Sequence, residues 1–252
     1  LGDAGELGFC PLRFCAVAGR IREMEKLESR YAQKGMDLFY RSFYSLLEQA
    51  LSSCREYDII QYDRETVGIF LSFSDTASTQ EAWMRIRRLL PHMHGIIRNY
   101  LDLDVIFGVS CFCCGEEEIA KAWEEACTML DRRFFEKREI FYYDDVKDNY
   151  QNKEELLAKL WDKEAQIREQ VVDNRLDEVR EGMQAWCEQV RRGKVADSEH
   201  IRDFCQDLIK LIQAQEKNWK DSKIWKEIRE QETLEETESL VYNYLEHVIP
   251  EG

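Results

Sequence analysis

The sequence lacks two features that would direct it to a membrane. It has no apolar run long enough to span a bilayer, and its first residues do not form a signal peptide. Its nine cysteines are odd in number, and several lie inside apolar runs, where cysteine behaves as a small hydrophobic residue. We therefore expect a protein of the reducing cytoplasm that does not contact a membrane.

Negative charge outnumbers positive charge in this chain. It has 35 lysines and arginines against 50 acidic residues, a formal net charge of -15. Nucleic acids are polyanions and repel such a chain, so we expect no direct contact with DNA or RNA. The densest basic group is Arg85, Arg87 and Arg88, which we interpret as a solvated face of a helix.

Proline is absent between residues 148 and 249, and glycine occurs there only at 182 and 193. No β-rich run is found in this part, and its apolar residues recur at helical spacing. We predict a bundle of four or five helices over residues 148–252, with a domain boundary at 147/148. Thr233 and Glu236 have the spacing of a capping box, and Gly193 is predicted to cap the end of a helix.

Residues 1–147 contain both strand and helix patterns. Two β-rich runs in residues 57–73 flank the polar residues 63–65, which predicts a β-hairpin. The full order of elements is βαββαβ, typical of an α+β sandwich with helices on one face of an antiparallel sheet. Pro91 lies inside the helix that begins at Thr79, which predicts a kink or break near His92. The other predicted elements are strands at 12–21, 103–113 and 139–144 and helices at 37–53 and from 115 onward.

The hairpin resembles part of the nucleotide-cyclase fold of GGDEF domains. When residues 67–71 (V-G-I-F-L) are set against the strand that follows the GGDEF signature, D-R-E-T takes the place of G-G-D-E. The later part of the domain resembles more closely a degenerate branch, the GGDEF-like middle region of AraC-type response regulators of the YesN kind. The matching positions are Gly108, Ser110, Glu125, Ala126, Leu130, Phe134, Phe135, Ile140 and Tyr143.

This resemblance implies the fold and a place in a signalling pathway. The expected fold is a ferredoxin/nucleotide-cyclase-like α+β sandwich followed by an all-helical bundle. In the family, a receiver domain precedes this region and a helix-turn-helix DNA-binding domain follows it, and neither pattern is visible in this sequence. We therefore expect a fragment that acts as a non-catalytic connector, with those two domains of the full-length protein and a second copy of itself as partners.

Two other functions remain open at this point. A ligand- or nucleotide-sensing domain without turnover is the main alternative, and an active diguanylate cyclase is a weaker one. Cyclase chemistry needs glycines that let the backbone approach GTP and acidic groups that hold a divalent metal. The degenerate signature is formed by Asp63, Arg64, Glu65 and Thr66, and the run that ends in Arg20 offers a cation where the family has an acid. We expect no enzyme activity and no cofactor.

Cysteine and tryptophan offer the remaining candidate sites. Cys111, Cys113 and Cys114, with His92 and His94, raise the possibility of zinc, but C-x-C-C on a strand does not match zinc-ligand spacing. We predict that Cys111 and Cys113 share one face of a strand, pack in the core and bind no metal. Four tryptophans on apolar stripes are predicted to be buried anchors, whereas two in a charged stretch are candidates for a partner surface. The first group is Trp83, Trp123, Trp161 and Trp186, and the second is Trp219 and Trp225.

Overall fold

The chain folds into two compact units. A computed structural model describes residues 8–31, 33–73, 76, 78–215 and 223–248. The first unit contains the residues up to Arg133 together with Arg138–Asp145, and the second contains Phe134–Lys137 and the residues from Val146 onward. The sequence predicted one boundary at 147/148, whereas the chain passes between the units three times.

The first unit is built on a five-stranded sheet. Its strands are β1 (Phe14–Ile21), β2 (Tyr57–Gln61), β3 (Thr66–Ser72), β4 (Val105–Val109) and β5 (Ile140–Tyr142). Their spatial order is β2-β3-β1-β4-β5. The first four strands pair antiparallel, and β5 pairs parallel to β4. The βαββαβ order of the α+β fold is confirmed, but the sheet is mixed rather than wholly antiparallel.

Helices cover both faces of this sheet. The helices of this unit are α1 (Met24–Arg30), α2 (Gln33–Leu51), α3 (Thr79–Leu101) and α4 (Ile119–Leu130). Val17, Ile69 and Phe107 lie on the face that shares a core with α2 and α3. Neighbouring residues of a strand point to opposite faces, and Gly68 and Gly108 accordingly face α4. The prediction that all helices lie on one face is therefore wrong.

Helix α4 packs very close to the sheet at Gly108. A Cβ atom at this position would lie 2.1 Å from the backbone oxygen of Ala126 and 2.9 Å from the Cβ of Met129. Only a residue without a side chain allows the strand and the helix to approach this closely. Gly108 therefore sets the distance between β4 and α4.

Helix α3 continues through Pro91. The helix begins after Ser78, whose hydroxyl accepts a hydrogen bond from the Glu81 backbone N–H at 3.1 Å, and it runs unbroken to Leu101. Proline costs one backbone hydrogen bond in a helix interior. The buried stripe of α3 continues on both sides of that position and holds the helix against the core. The break predicted near His92 is therefore wrong.

The second unit is helical throughout the residues that the structure describes. Its core is formed by apolar side chains from the longer helices and includes Phe134, Trp186 and Phe204. The predicted bundle is confirmed, with an additional short helix at its start. The helices are α5 (Lys147–Gln151), α6 (Lys153–Val172), α7 (Leu176–Gly193), α8 (Ser198–Gln215), α9 (Ile224–Glu230) and α10 (Leu234–Val248).

Two predicted helix caps in this unit have different outcomes. The capping box is confirmed, because Thr233 N–H donates to the Glu236 carboxylate at 3.1 Å and Glu236 N–H donates to the Thr233 hydroxyl at 3.2 Å. Gly193 is instead the last residue of α7, and Lys194 adopts the left-handed conformation with φ of 49°. The Lys194 ammonium lies 2.9 Å from the Glu136 carboxylate.

In the described part of the chain, every helix is too short or too polar to cross a lipid bilayer. The prediction that no helix spans a membrane is confirmed for these residues.

Candidate functional site

The hairpin turn between β2 and β3 is closed by the carboxylate of Asp63. Its Oδ1 atom accepts hydrogen bonds from the backbone N–H of Glu65 at 2.7 Å and of Thr66 at 2.6 Å. The backbone N–H groups of Tyr62 and Asp63 both donate to the carbonyl of Thr66. Backbone amides at a turn are the groups that bind phosphate oxygens in many proteins. Here two of those amides are occupied by a side chain of the turn itself.

Arg64 is anchored through its backbone and carries an exposed side chain. Its carbonyl accepts a hydrogen bond from the Tyr40 hydroxyl at 2.7 Å. Burial, followed by the carboxylate of Glu28, raises the pKa of Tyr40, so the hydroxyl remains a donor at neutral pH. The Arg64 guanidinium is 60% exposed and lies 3.5 Å from the carboxylates of both Glu28 and Glu65. The backbone of the turn is therefore held by the side chains of Asp63 and Tyr40, and the Arg64 cation is matched by two acids.

Arg20 lies beside this turn. It pairs with Thr66 in the β1–β3 ladder, and its Nη1 atom lies 3.9 Å from the Asp131 carboxylate. A guanidinium at this position opposes the binding of a divalent cation by direct charge repulsion. Among the residues that the structure describes, no group of three or more His, Cys, Asp or Glu side chains could hold a metal ion.

The strand that precedes the clustered cysteines is shorter than predicted. Strand β4 ends at Val109, four residues before the predicted end at Cys113. The Ser110 hydroxyl accepts a hydrogen bond from the Ala16 backbone N–H at 2.9 Å and donates to the Cys111 carbonyl at 2.7 Å. The side chain thus takes the place of a carbonyl acceptor in the ladder, and the regular pairing stops there.

The three cysteines consequently have three different environments. Cys113 is buried and forms an isolated bridge with Phe14, Cys111 is half-buried, and Cys114 is exposed. The prediction that Cys111 and Cys113 share one face of a strand is wrong, because neither lies in a strand. Burial raises the pKa of the Cys113 thiol to about 11, so it is protonated at neutral pH.

Glu125 has a structural role that the sequence analysis did not assign. It is 9% exposed, and its Oε2 atom accepts a hydrogen bond from the Cys111 backbone N–H at 2.9 Å. Burial raises the pKa of this carboxyl, and the hydrogen bond from Cys111 acts in the opposite direction. A signal was present in the sequence, since Glu125 falls on the same helical stripe as Ala122, Ala126 and Met129. An acid on an apolar stripe indicates a carboxylate with an internal partner.

A cleft of about 560 Å³ opens between the end of α2 and the middle of α3. Arg85 and Arg88 line it, whereas Arg87 forms an ion pair with Asp145 and packs over the Tyr142 ring, outside the cleft. Arg87 and Arg88 are exposed, as expected for a solvated face, whereas Arg85 is half-buried. The cleft was not visible in the sequence, because its two walls come from residues 49–54 and 85–92. The lining residues are Gln49, Ala50, Ser52, Ser53, Cys54, Phe73, Arg85, Arg88, Leu89 and His92.

The candidate partner surface is described only in part. Trp219 lies outside the described residues, so nothing is added to its prediction. Trp225 is half-buried on α9, and its ring centroid lies 5.7 Å from the Lys210 ammonium and 5.2 Å from the Lys226 ammonium. Its carbonyl accepts a hydrogen bond from the Gln206 side chain. Trp225 thus serves contacts within its own unit, and its role towards a partner stays a prediction.

Two other tryptophans of the second unit differ in burial. Trp186 is fully buried, as predicted, but Trp161 is 53% exposed, and its predicted burial is wrong. The buried stripe of α6 includes Leu160 and Glu164, and Trp161 lies beside that stripe. The Trp186 indole N–H donates to the Glu164 carboxylate at 3.1 Å, and His200 Nε2 lies 2.9 Å from the same oxygen atom. Glu164 is therefore a buried acid with two ring partners.

No protein-family model matches this chain. The same holds for curated proteins and for solved structures. The resemblance to a degenerate GGDEF-like region therefore stays a prediction from the sequence. The functional argument rests on the geometry of the turn and the cleft.

Proposed function

We propose that this chain is a non-catalytic connector module of a two-component, AraC-type transcriptional response regulator. In this proposal it acts in the cytoplasm and couples a receiver domain to a helix-turn-helix DNA-binding domain of the same protein. It forms a homodimer and makes no direct contact with nucleic acid. The hairpin turn formed by Asp63, Arg64, Glu65 and Thr66 is then a structural remnant of a nucleotide-binding turn.

The observation that carries the proposal is the closure of this turn by Asp63. A catalytic turn of this kind needs open backbone amides so that nucleotide can approach the chain. The Asp63 carboxylate already accepts from the amides of Glu65 and Thr66, and it would also repel a triphosphate. Cyclase chemistry needs an accessible backbone at the turn and a metal-binding acid near Arg20, and the residues in place offer neither.

The open edge of the sheet supports association with a second copy. Strand β2 is the last strand on its side of the sheet, so one row of its backbone groups has no strand partner among the described residues. Such an edge can pair with an identical edge related by two-fold symmetry. Ile60 is 49% exposed and Tyr62 is 64% exposed at this edge. Exposed apolar side chains beside an open edge favour a protein contact.

The catalytic part of the proposal is tested by incubating the chain with GTP and Mg²⁺ and separating the products by chromatography. We expect the GTP to remain unchanged over hours at high protein concentration. Formation of a cyclic dinucleotide would refute the non-catalytic assignment. The double variant Asp63→Ala with Arg64→Ala is a useful companion, because a product formed only by the wild type would show that the turn takes part in catalysis.

The association part is tested by light scattering over a concentration series. We expect a dimer for the wild type and a shift towards monomer for Ile60→Lys on the edge strand. Leu38→Lys is the matched control, since Leu38 is also exposed, at 69%, but lies on α2. A wild type that stays monomeric at all concentrations would refute dimerisation through this chain. Equal effects of the two substitutions would refute the use of the β2 edge.

A further inference from the structure

The cleft between α2 and α3 lies at the opposite end of β3 from the hairpin turn. The turn precedes Thr66, the first residue of β3, and Phe73 in the cleft follows Ser72, the last one. Seven residues of extended strand separate the two places, a distance of roughly 20 Å. The cleft is therefore a separate site from the degenerate signature.

Three nitrogen-rich side chains of α3 line this cleft. Arg85, Arg88 and His92 follow one another at spacings of three and four residues, so they lie on one side of the helix. The Arg85 guanidinium is half-buried, and its central carbon lies 5.6 Å from the centroid of the Phe73 ring. This cation–π contact holds the Arg85 guanidinium over the Phe73 ring, where it is partly removed from water.

Arg88 differs from the other basic residues near it. Arg87 is paired with Asp145, but in the described part of the chain no carboxylate lies within 4 Å of the Arg88 guanidinium. In a chain with a net charge of -15, a cleft arginine that no acid among the described residues contacts indicates a site for an external anion.

The remaining lining defines the kind of anion. The hydroxyls of Ser52 and Ser53 are donors at the rim, and half-buried Leu89 gives an accessible apolar surface, whereas Ala50 and Phe73 are buried behind the lining. The volume of about 560 Å³ falls within the usual range for small-ligand pockets, roughly 300–1,000 Å³. A lone inorganic anion would leave most of this volume unfilled. The ligand should therefore combine an anionic head with a larger apolar or aromatic part.

We propose that this cleft binds a small phosphorylated ligand, with its phosphate at Arg88 and His92 and its ring or apolar part against Leu89. Guanidinium groups bind phosphate through paired, charge-assisted hydrogen bonds, and Arg85 supplies a second positive charge close by. This site does not depend on the connector function. It gives the first unit a means to respond to a metabolite whether or not the turn is degenerate.

The experiment is calorimetric titration of the full chain with AMP, inorganic phosphate and adenosine, in low salt and without Mg²⁺. AMP should bind most tightly, phosphate more weakly, and adenosine least, because each of the latter two lacks one half of the proposed ligand. Arg88→Gln should weaken AMP binding about tenfold or more, the effect of losing hydrogen bonds to a charged group. His92→Gln should weaken it less. Higher salt should weaken binding in the wild type.

Arg98→Gln is the matched control, since Arg98 is an exposed arginine of the same helix outside the cleft. This variant should bind AMP within about twofold of the wild type, and thermal unfolding should verify that each variant is folded. The proposal is refuted if neither AMP nor phosphate binds at millimolar concentration. It is also refuted if adenosine binds as tightly as AMP, or if Arg88→Gln and Arg98→Gln have the same effect. None of these results changes the GTP turnover measurement, so the two proposals can fail separately.

Discussion

Replacing Glu125 with alanine tests whether a buried carboxylate holds the chain where β4 ends. The substitution removes the acceptor of the Cys111 backbone N–H, which lies 2.9 Å from the Glu125 Oε2 atom. Leaving such a donor without a partner costs about 1–3 kcal/mol, and the lost methylene contact adds about 0.8 kcal/mol. We therefore expect the free energy of unfolding of the first unit to fall by about 2–4 kcal/mol.

Urea denaturation measures this loss. For a slope of about 2 kcal/mol per molar urea, the midpoint should fall by about 1–2 M. Glu125→Gln is the control, because its amide oxygen can still accept from Cys111 and the side chain has nearly the same size. It should stay within about 1 kcal/mol of the wild type at pH 7. If glutamine destabilises as much as alanine, the hydrogen bond to Cys111 is not the source of the effect.

The pH dependence of the same pair gives an independent check. Burial raises the pKa of Glu125 in the folded state above its unfolded value. The folded chain therefore holds this proton more tightly, and the stabilisation is complete below the unfolded pKa and is lost as the pH rises through the folded pKa. Glutamine does not titrate, so the stability of Glu125→Gln relative to the wild type should increase over that interval. A difference that does not change between pH 4 and pH 8 would contradict the assignment.

Two further predictions concern packing. Gly108→Ala should lower the free energy of unfolding by more than about 3 kcal/mol or prevent folding, because the new Cβ would lie 2.1 Å from a backbone oxygen of α4. Gly95→Ala in α3 is the control. Its Cβ would meet no atom within 4 Å, so it should raise the free energy of unfolding by about 0.5–1 kcal/mol in the same urea assay. In the second unit, Glu164→Ala should lower the free energy of unfolding by about 2–4 kcal/mol, because it leaves the indole N–H of Trp186 buried without its partner and removes one methylene contact. Glu164→Gln should recover part of that loss, as measured by urea denaturation.

Local patterns predicted the elements of this fold well, and long-range packing accounts for the errors. The hairpin and the capping box at Thr233 depend on a few adjacent residues, so the sequence was sufficient for both. Pro91 carried a local signal for a break, but the core contacts of α3 on both sides of it prevail. The position of α4 on the second face depends on Gly108, and no local rule distinguishes that glycine from one in a turn.

The site features divide in the same way. The loss of the glycine signature was readable, because Asp63 and Arg64 are adjacent in the sequence. The two hydrogen bonds that close the turn follow a pattern common for aspartate. The cleft at Arg88 could not be predicted, since its walls are more than thirty residues apart in the sequence.

The path of the chain between β4 and α6 determines how this protein can be divided for expression. Phe134–Lys137 belongs to the helical unit, and the chain then returns to supply Arg138–Asp145, which includes β5, to the first unit. A truncated chain that stops at Arg133 would omit the parallel edge of the sheet. One that starts at Val146 would omit Phe134, which is buried in the helical core. Neither unit is a single continuous segment. No single cut in the chain therefore yields two fragments that each contain one complete unit and nothing else.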